Sequence, residues 1–229
     1  MAEGNNMMRD LDIKGIGMTS QRTRDRLIAT LREMGIENEE VLRVMRYVPR
    51  HLFVDQALAS RSYENSSLPI GHAQTISQPY IVAKMTELLL SSPVPEKVLE
   101  VGTGSGYQAA ILGGLVRELH TVERITPLHR NARDLLYQLG YRNVRTHLAD
   151  GSWGWEQSAP YDAIIVTAAP EAVPEALLQQ LAIGGRLVIP VGGSEGKQDL
   201  QLIRRLSEET FDIESKETVV FVPLLEKIN

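Results

Sequence analysis

The stretch Val98-Leu99-Glu100-Val101-Gly102-Thr103-Gly104-Ser105-Gly106-Tyr107 restricts the fold of this chain more than any other. An apolar run of strand length leads into glycines at every second position and then into a helical pattern. That is the strand, turn and helix with which open α/β sheets begin a nucleotide site. A dinucleotide fingerprint, Gly-x-Gly-x-x-Gly counted from Gly102, needs its third glycine at position 107, where Tyr107 stands. A Walker loop is excluded, because no Gly-Lys-Ser/Thr follows. What remains is Gly-x-Gly-x-Gly with an acid, Glu100, two residues before the first glycine.

The rest of the chain agrees with an α/β reading. Apolar runs of strand length recur at Leu119 to Val122, Val144 to Leu148, Ala163 to Val166 and Leu187 to Val191. Helices with readable ends separate them. Thr126-Pro127 opens one that Gly140 closes, and Pro174 opens another for which Gly184-Gly185 is the expected stop. Strands alternating with helices imply a mostly parallel, doubly wound sheet covered on both faces. Leu200 to Leu206 and Thr218 to Val222 are candidates for further strands with some antiparallel pairing.

Ahead of Ser91-Ser92-Pro93-Val94-Pro95 the pattern is helical. Thr19-Ser20 caps a helix ending near Gly35, Asn38 with Glu39 and Glu40 opens one running to Val48, and Pro79 starts a third that turns Ile81, Val82, Met85, Leu88 and Leu89 inward. At 229 residues the expected organisation is one domain over 19–229, with a helical segment over 19–95, a sheet core over 96–229, and residues 1–18 as a mobile tail. No secretory or transit pattern opens the chain, which leads us to expect the cytoplasm, and nothing in the sequence demands more than a monomer.

Composition narrows the chemistry. The absence of cysteine removes disulfides, thiolate nucleophiles and cysteine zinc sites. A formal charge of −5 supplies no global field for nucleic acid. The basic cluster Arg22, Arg24, Arg26 and Arg32 reads as the solvated face of an amphipathic helix whose apolar stripe is Leu27, Ile28, Leu31 and Met34. His51, His72, His120, His129 and His147 show no metal-ligand spacing and read as surface or core-satisfying groups; Trp153 and Trp155 read as packing under a loop. No metal is expected.

Two further acids stand at strand ends: Glu123, suited to the two hydroxyls of a ribose, and Asp150 in Ala149-Asp150-Gly151, suited to an adenine amino group. With Glu100 and Gly102, Thr103, Gly104, Ser105 and Gly106, the set resembles the first motif and the following acids of S-adenosylmethionine methyltransferases, a Rossmann-like fold. Such a cofactor has no pyrophosphate but a cationic amino-acid head, which suits an acid beside a close-approach glycine turn.

The segment Leu68-Pro69-Ile70-Gly71-His72-Ala73-Gln74-Thr75-Ile76-Ser77-Gln78-Pro79-Tyr80, with Val48-Pro49-Arg50-His51-Leu52-Phe53-Val54 before it and Phe221-Val222-Pro223-Leu224 near the end, resembles the protein-L-isoaspartate O-methyltransferase family. The likeness covers about residues 20 to 225. It implies methylation of the free α-carboxylate of L-isoaspartyl residues in damaged proteins and peptides, with S-adenosylhomocysteine as the other product. It also implies a catalytic role for Ser77, cofactor contacts from Gln74, Thr75 and Gly151, and substrate contacts from Ile76, Ser77, Val222, Pro223 and Leu224. Ser77 is equally a candidate cap for the helix at Pro79, and the two roles can coexist.

Three positions depart from the family pattern. Ala73 replaces the second glycine of Gly-x-Gly-Gln-Thr-Ile-Ser, Ala149 stands where Gly-Asp-Gly is common, and Val220 stands where many bacterial members have arginine. The first matters if its backbone needs positive φ. Two other readings remain open: a methyltransferase for RNA or a small molecule, which keeps the cofactor site and discards Ser77, and a non-catalytic adaptor that keeps the fold.

Overall fold

The computed structural model describes residues 13–193 and 196–228. Its front third holds α1 (Gln21–Glu33), α2 (Glu39–Tyr47), a hairpin of β1 (Leu68–Gly71) and β2 (Gln74–Ile76), and α3 (Pro79–Leu89). The Asn38 side chain caps α2 by accepting from the amides of Glu40 and Val41, both at 3.1 Å. Gly35 ends α1 in the left-handed region at φ 91°, which lets Ile36 N–H reach the Leu31 carbonyl at 3.1 Å.

Behind it come β3 (Lys97–Val101), α4 (Tyr107–Gly113), β4 (Glu118–Glu123), α5 (Thr126–Gln138), β5 (Val144–Leu148), β6 (Tyr161–Val166), α6 (Glu175–Gln179), β7 (Leu181–Val191), β8 (Gln198–Arg205) and β9 (Phe211–Val219). They form one seven-stranded sheet in the order β5-β4-β3-β6-β7-β8-β9. The five strands β5 to β7 run parallel, and β8 and β9 add antiparallel pairing at one edge. The order reverses beside β3, so the carboxyl end of β3 sits at the switch point where such sheets leave a crevice.

Alternation along the strands divides the core. Val98, Leu119, Ala163, Ile165 and Val188 pack on the face covered by α1 to α4, while Leu99, Val101, Val122, Ile164, Leu187 and Ile189 pack on the other with Leu177 of α6 and Tyr161. Near-continuous apolar strands are what a sheet covered on both faces requires.

Several local expectations change. The helix opened by Pro174 ends at Gln179, and Gly184-Gly185 lie inside β7. They serve a bulge: β7 pairs Leu181 with Tyr161 and then Arg186 with Ala163, and a Cβ on Gly185 would lie 2.8 Å from the Ala182 carbonyl oxygen. The last strand lies earlier than Thr218 to Val222, because a charged edge strand with one solvated face carries little apolar signal.

The basic face of α1 is not wholly solvated. Arg24 is buried, donating to the Tyr47 carbonyl at 3.4 Å and to that of Ile13, with its guanidinium 5.6 Å from the centre of the Tyr63 ring, whereas Met34 is exposed. Trp153 is 71% exposed rather than packed; Trp155 is the packing residue, stacked on His147 at 3.9 Å between ring centres. Residues 1–12 of the expected tail lie outside the described residues, and residues 13 to 19 approach the front helices through a turn at Gly17–Thr19.

Candidate active site

The turn after β3 is held from both sides. Gly102 and Thr103 donate to the Val122 carbonyl at 2.9 and 3.1 Å, and the Thr167 hydroxyl donates to the Gly102 carbonyl at 2.7 Å. Gly102, Gly104 and Gly106 have φ of 99°, 53° and 87°, the left-handed region that glycine enters without steric cost. A Cβ on Gly102 would sit 2.5 Å from Thr167 Oγ1, so the turn tolerates no side chain there.

Glu123, the last residue of β4, closes the turn. One carboxylate oxygen accepts from Gly104 N–H and the other from Ile125 N–H, both at 2.8 Å. Among the described residues each oxygen accepts a single hydrogen bond, which leaves both with capacity for a ligand hydroxyl.

These residues line a cleft of about 780 Å³, its open mouth included. Of the residues singled out from sequence, Gly102, Thr103, Gly104, Ser105, Glu123 and Gly151 line it from the sheet side. Gln74, Thr75, Ile76 and Ser77 line it from the front segment, and Val222, Pro223 and Leu224 from the C-terminal segment. That last segment is tied to the end of β6: Ala169 N–H donates to the Val222 carbonyl and Leu224 N–H to the Ala169 carbonyl, both at 2.8 Å.

Three expected residues do not line the cleft. Gly106 packs against α5, where a Cβ would meet that of Ala132 at 3.2 Å. Asp150 spends its carboxylate on the turn it caps, accepting from Ser152 N–H at 2.9 Å and Ser152 Oγ at 2.6 Å, and on Lys227 N–H at 2.7 Å. Burial pushes the Asp150 pKa up, but these bonds outweigh it and the net shift is downward.

Glu100 lies beneath the glycine turn with no exposure. Thr121 Oγ1 donates to it at 2.5 Å and shares a 2.6 Å hydrogen bond with Thr103 Oγ1, while Glu100 Oε1 has no partner among the described residues. Burial pushes its carboxyl up to about 8, against the Thr121 bond and with help from the Glu123 charge. Glu100 thus stands beneath the turn and outside the lining of the cleft.

A second cleft adjoins the first and shares Thr75, Ser77, Thr167 and Val222 with it. Its remaining wall runs from Ser67, Gln78 and Ile81 to Thr218, Val219, Val220 and Phe221, with Lys197 at one side. No carboxylate lines it among the described residues. The Ser77 hydroxyl does not cap α3: the helix is capped at Gln78 without a side-chain bond, and Asn65 Oδ1 accepts from Tyr80 N–H at 3.0 Å. Ser77 is thus left at the junction of the clefts, with its carbonyl held by Arg50 Nη2 at 2.8 Å.

Sequence reading missed Thr167, which follows β6 directly and touches both clefts, and Arg124, Ile125, Tyr107 and Gln108 in the first. A polar residue right after a sheet strand at the switch point was the available signal for Thr167. Among the described residues no group of three or more histidines and acids is placed to hold a metal ion.

The residues around the turn fit a nucleoside. The glycine turn admits close backbone approach, Glu123 offers acceptors for vicinal hydroxyls, and a Cβ placed on Gly104 would find only Ile70 Cδ1, at 3.5 Å.

Comparison with known proteins agrees. The family model described as Protein-L-isoaspartate(D-aspartate) O-methyltransferase (PCMT) matches residues 22–229. A protein-L-isoaspartate O-methyltransferase of Halorhodospira halophila is 58% identical over 219 residues, 96% of this chain and 99% of that one. One of Cellvibrio japonicus is 58% identical over 221 residues, 95% and 98% of the two chains. Among solved structures, a protein-L-isoaspartate O-methyltransferase superposes with a TM-score of 0.79 at 27% identity, covering 87% of this chain; this chain spans only 65% of its length. A Plasmodium falciparum chain described as a beta-aspartate methyltransferase, in complex with S-adenosyl-L-homocysteine, superposes with a TM-score of 0.77 at 23% identity, covering 88% and 98%; it shares the fold.

Proposed function

Because this chain belongs to the protein-L-isoaspartate(D-aspartate) O-methyltransferase family, we propose that it transfers a methyl group from S-adenosylmethionine to the free α-carboxylate of L-isoaspartyl residues in damaged proteins and peptides, initiating their repair to aspartyl residues. The observation that carries this reading at the level of the site is the meeting of two clefts at Ser77 and Thr167. The inner cleft has the glycine turn and an acid suited to the cofactor, and among the described residues no carboxylate lines the outer one to repel an anionic acceptor.

When bound, the cofactor supplies a methyl group on a sulfonium. Gly102 to Ser105, Glu123 and Gly151 would hold it from the sheet side, with Gln74 and Thr75 across the cleft. A carboxylic acid that titrates at its ordinary pH of about 4 is ionised at neutral pH, so the acceptor needs no general base. The work left to the protein is alignment, which can contribute on the order of 7 to 11 kcal/mol in favourable cases. Ser77 donates a hydrogen bond to the carboxylate or its neighbouring carbonyl, and Ile76, Val222, Pro223 and Leu224 confine the acceptor between the clefts.

Attack of the following backbone amide nitrogen on the methyl ester releases methanol and closes a succinimide. Its hydrolysis returns part of the chain to normal aspartate. No helix among the described residues is long and apolar enough to cross a membrane. We propose as well that the protein acts as a monomer in the cytoplasm, on damaged proteins and peptides and independently of nucleic acid.

The test is methyl transfer from labelled S-adenosylmethionine to paired peptides differing only in an isoaspartyl or aspartyl linkage. Base-labile label on the isoaspartyl peptide alone is expected. Cofactor binding without transfer to that peptide would keep the fold and reject the function.

A further inference from the structure

Arg50 is fully buried, and no carboxylate pairs with it among the described residues. Its Nε donates to the Ser62 carbonyl at 2.8 Å and its Nη2 to the Ser77 carbonyl at 2.8 Å. The guanidinium lies over the Tyr107 ring, 4.7 Å from its centre, and Nη1 has no hydrogen-bond partner among the described residues. A buried cation without a counter-ion is costly to the fold, and burial pushes its pKa below the ordinary arginine value.

For packing alone, an apolar side chain of similar volume would serve at lower cost. What the guanidinium does that no apolar group can is bridge two backbone segments from one rigid, planar fork. One prong grips Ser62, in the loop that follows the turn at Gln56–Arg61, and the other grips Ser77, between β2 and α3. Ser77 sits in the two-residue connection between β2 and α3, where the Gln78 carbonyl accepts from Val82 N–H at 3.1 Å and the Ser77 carbonyl takes the Arg50 bond, which fixes its peptide plane.

On the strength of the proposed role of Ser77, we propose that Arg50 is a positioning residue for methyl transfer, which holds the Ser77 carbonyl so that the Ser77 hydroxyl is aimed at the junction of the two clefts. Tyr107, which lines the inner cleft, packs its ring on the guanidinium and helps to hold the fork in place. Neither prong touches the glycine turn or Glu123, so loss of this anchor is expected to lower turnover far more than cofactor affinity.

A double-mutant cycle tests it on the full chain, with isoaspartyl peptide as acceptor. Arg50→Lys keeps the charge, but one ammonium cannot span both carbonyls; kcat is expected to fall on the order of 10- to 100-fold, with the Kd for S-adenosylmethionine changed less than about 3-fold. In a Ser77→Ala background, which by itself lowers kcat, Arg50→Lys is expected to cost less than about 3-fold more. Full multiplication of the two losses would overturn the proposal, as would parallel losses of kcat and cofactor affinity. An unaltered kcat for Ser77→Ala alone would overturn the reading of Ser77 and this inference with it. Arg50→Gln, an uncharged donor, serves the same cycle if Arg50→Lys does not fold; failure of both to fold would make Arg50 a structural residue and overturn the assignment.

Discussion

The turn between β1 and β2 carries a strain that can be relieved by removing one methyl group. His72 and Ala73 are its central residues, with φ of 52° and 55°, and Ala73 is exposed, so its side chain contributes no buried contact. An L-residue in the left-handed region costs roughly 1–2 kcal/mol, and glycine gives back about 0.4–1 kcal/mol through the larger entropy of its unfolded state. Ala73→Gly is therefore expected to stabilise the protein by roughly 0.5–1 kcal/mol, or about 1–4 °C in Tm for a chain of this size. The same turn supplies a reciprocal control. Gly71 has φ 86°, and a Cβ there would meet nothing within 4 Å, so Gly71→Ala isolates the conformational cost and should destabilise by a similar amount. Thermal melts and urea titrations of both variants against the parent decide the matter. A Tm for Ala73→Gly at or below the parent's, or a neutral Gly71→Ala, would refute the reasoning.

Glu123→Ala strands the amides of Gly104 and Ile125; a stability loss on the order of 1–3 kcal/mol and at least a tenfold weaker affinity for S-adenosylmethionine are expected, and unchanged affinity in calorimetry would remove the ribose assignment. Gly102→Ala drives a Cβ to 2.5 Å from Thr167 Oγ1 at φ 99°, so a several-degree drop in Tm with loss of cofactor binding is expected from melts and titrations; a variant as stable as the parent would contradict the contact. Glu100 has its folded pKa raised from 4.5 to about 8, so the unfolded chain releases this proton first and stability falls as pH rises between those values. Glu100→Gln should gain on the parent across that window, by at most a few kcal/mol at its upper end, in urea titrations from about pH 5 to 9; parallel profiles would show that Glu100 does not titrate there.

Much of the fold was legible because it is written in local pattern. Five apolar runs became sheet strands, Asn38 capped α2, and Pro79 and Pro127 sit at the starts of α3 and α5, since these signals depend on residues a turn or less apart. Elements that failed to announce themselves depend on distant partners. The β1–β2 hairpin is short and its turn lacks the usual Asn-Gly or Asp-Gly, and β9 is recognisable as a strand only through its pairing with β8.

The site divides along the same line. Glycine spacing and the acid at the end of β4 mark a cofactor turn from sequence alone, because the backbone conformation that only glycine readily adopts, and the position of a strand end, are local properties. Where the three acids stand relative to the cleft was decided by tertiary structure. Glu100 is directed beneath the turn by the strand's alternation and buried by β4, while Asp150 is occupied by amides from its own turn and from the C-terminal segment 77 residues away. Likewise, residues 77, 167 and 222 meet only because the sheet order returns β6 to the side of β3 and ties the chain end to Ala169. Sequence determines which residues are able to bend, cap and accept; burial and long-range hydrogen bonding, which act across the fold, determine which of them are left free to do chemistry.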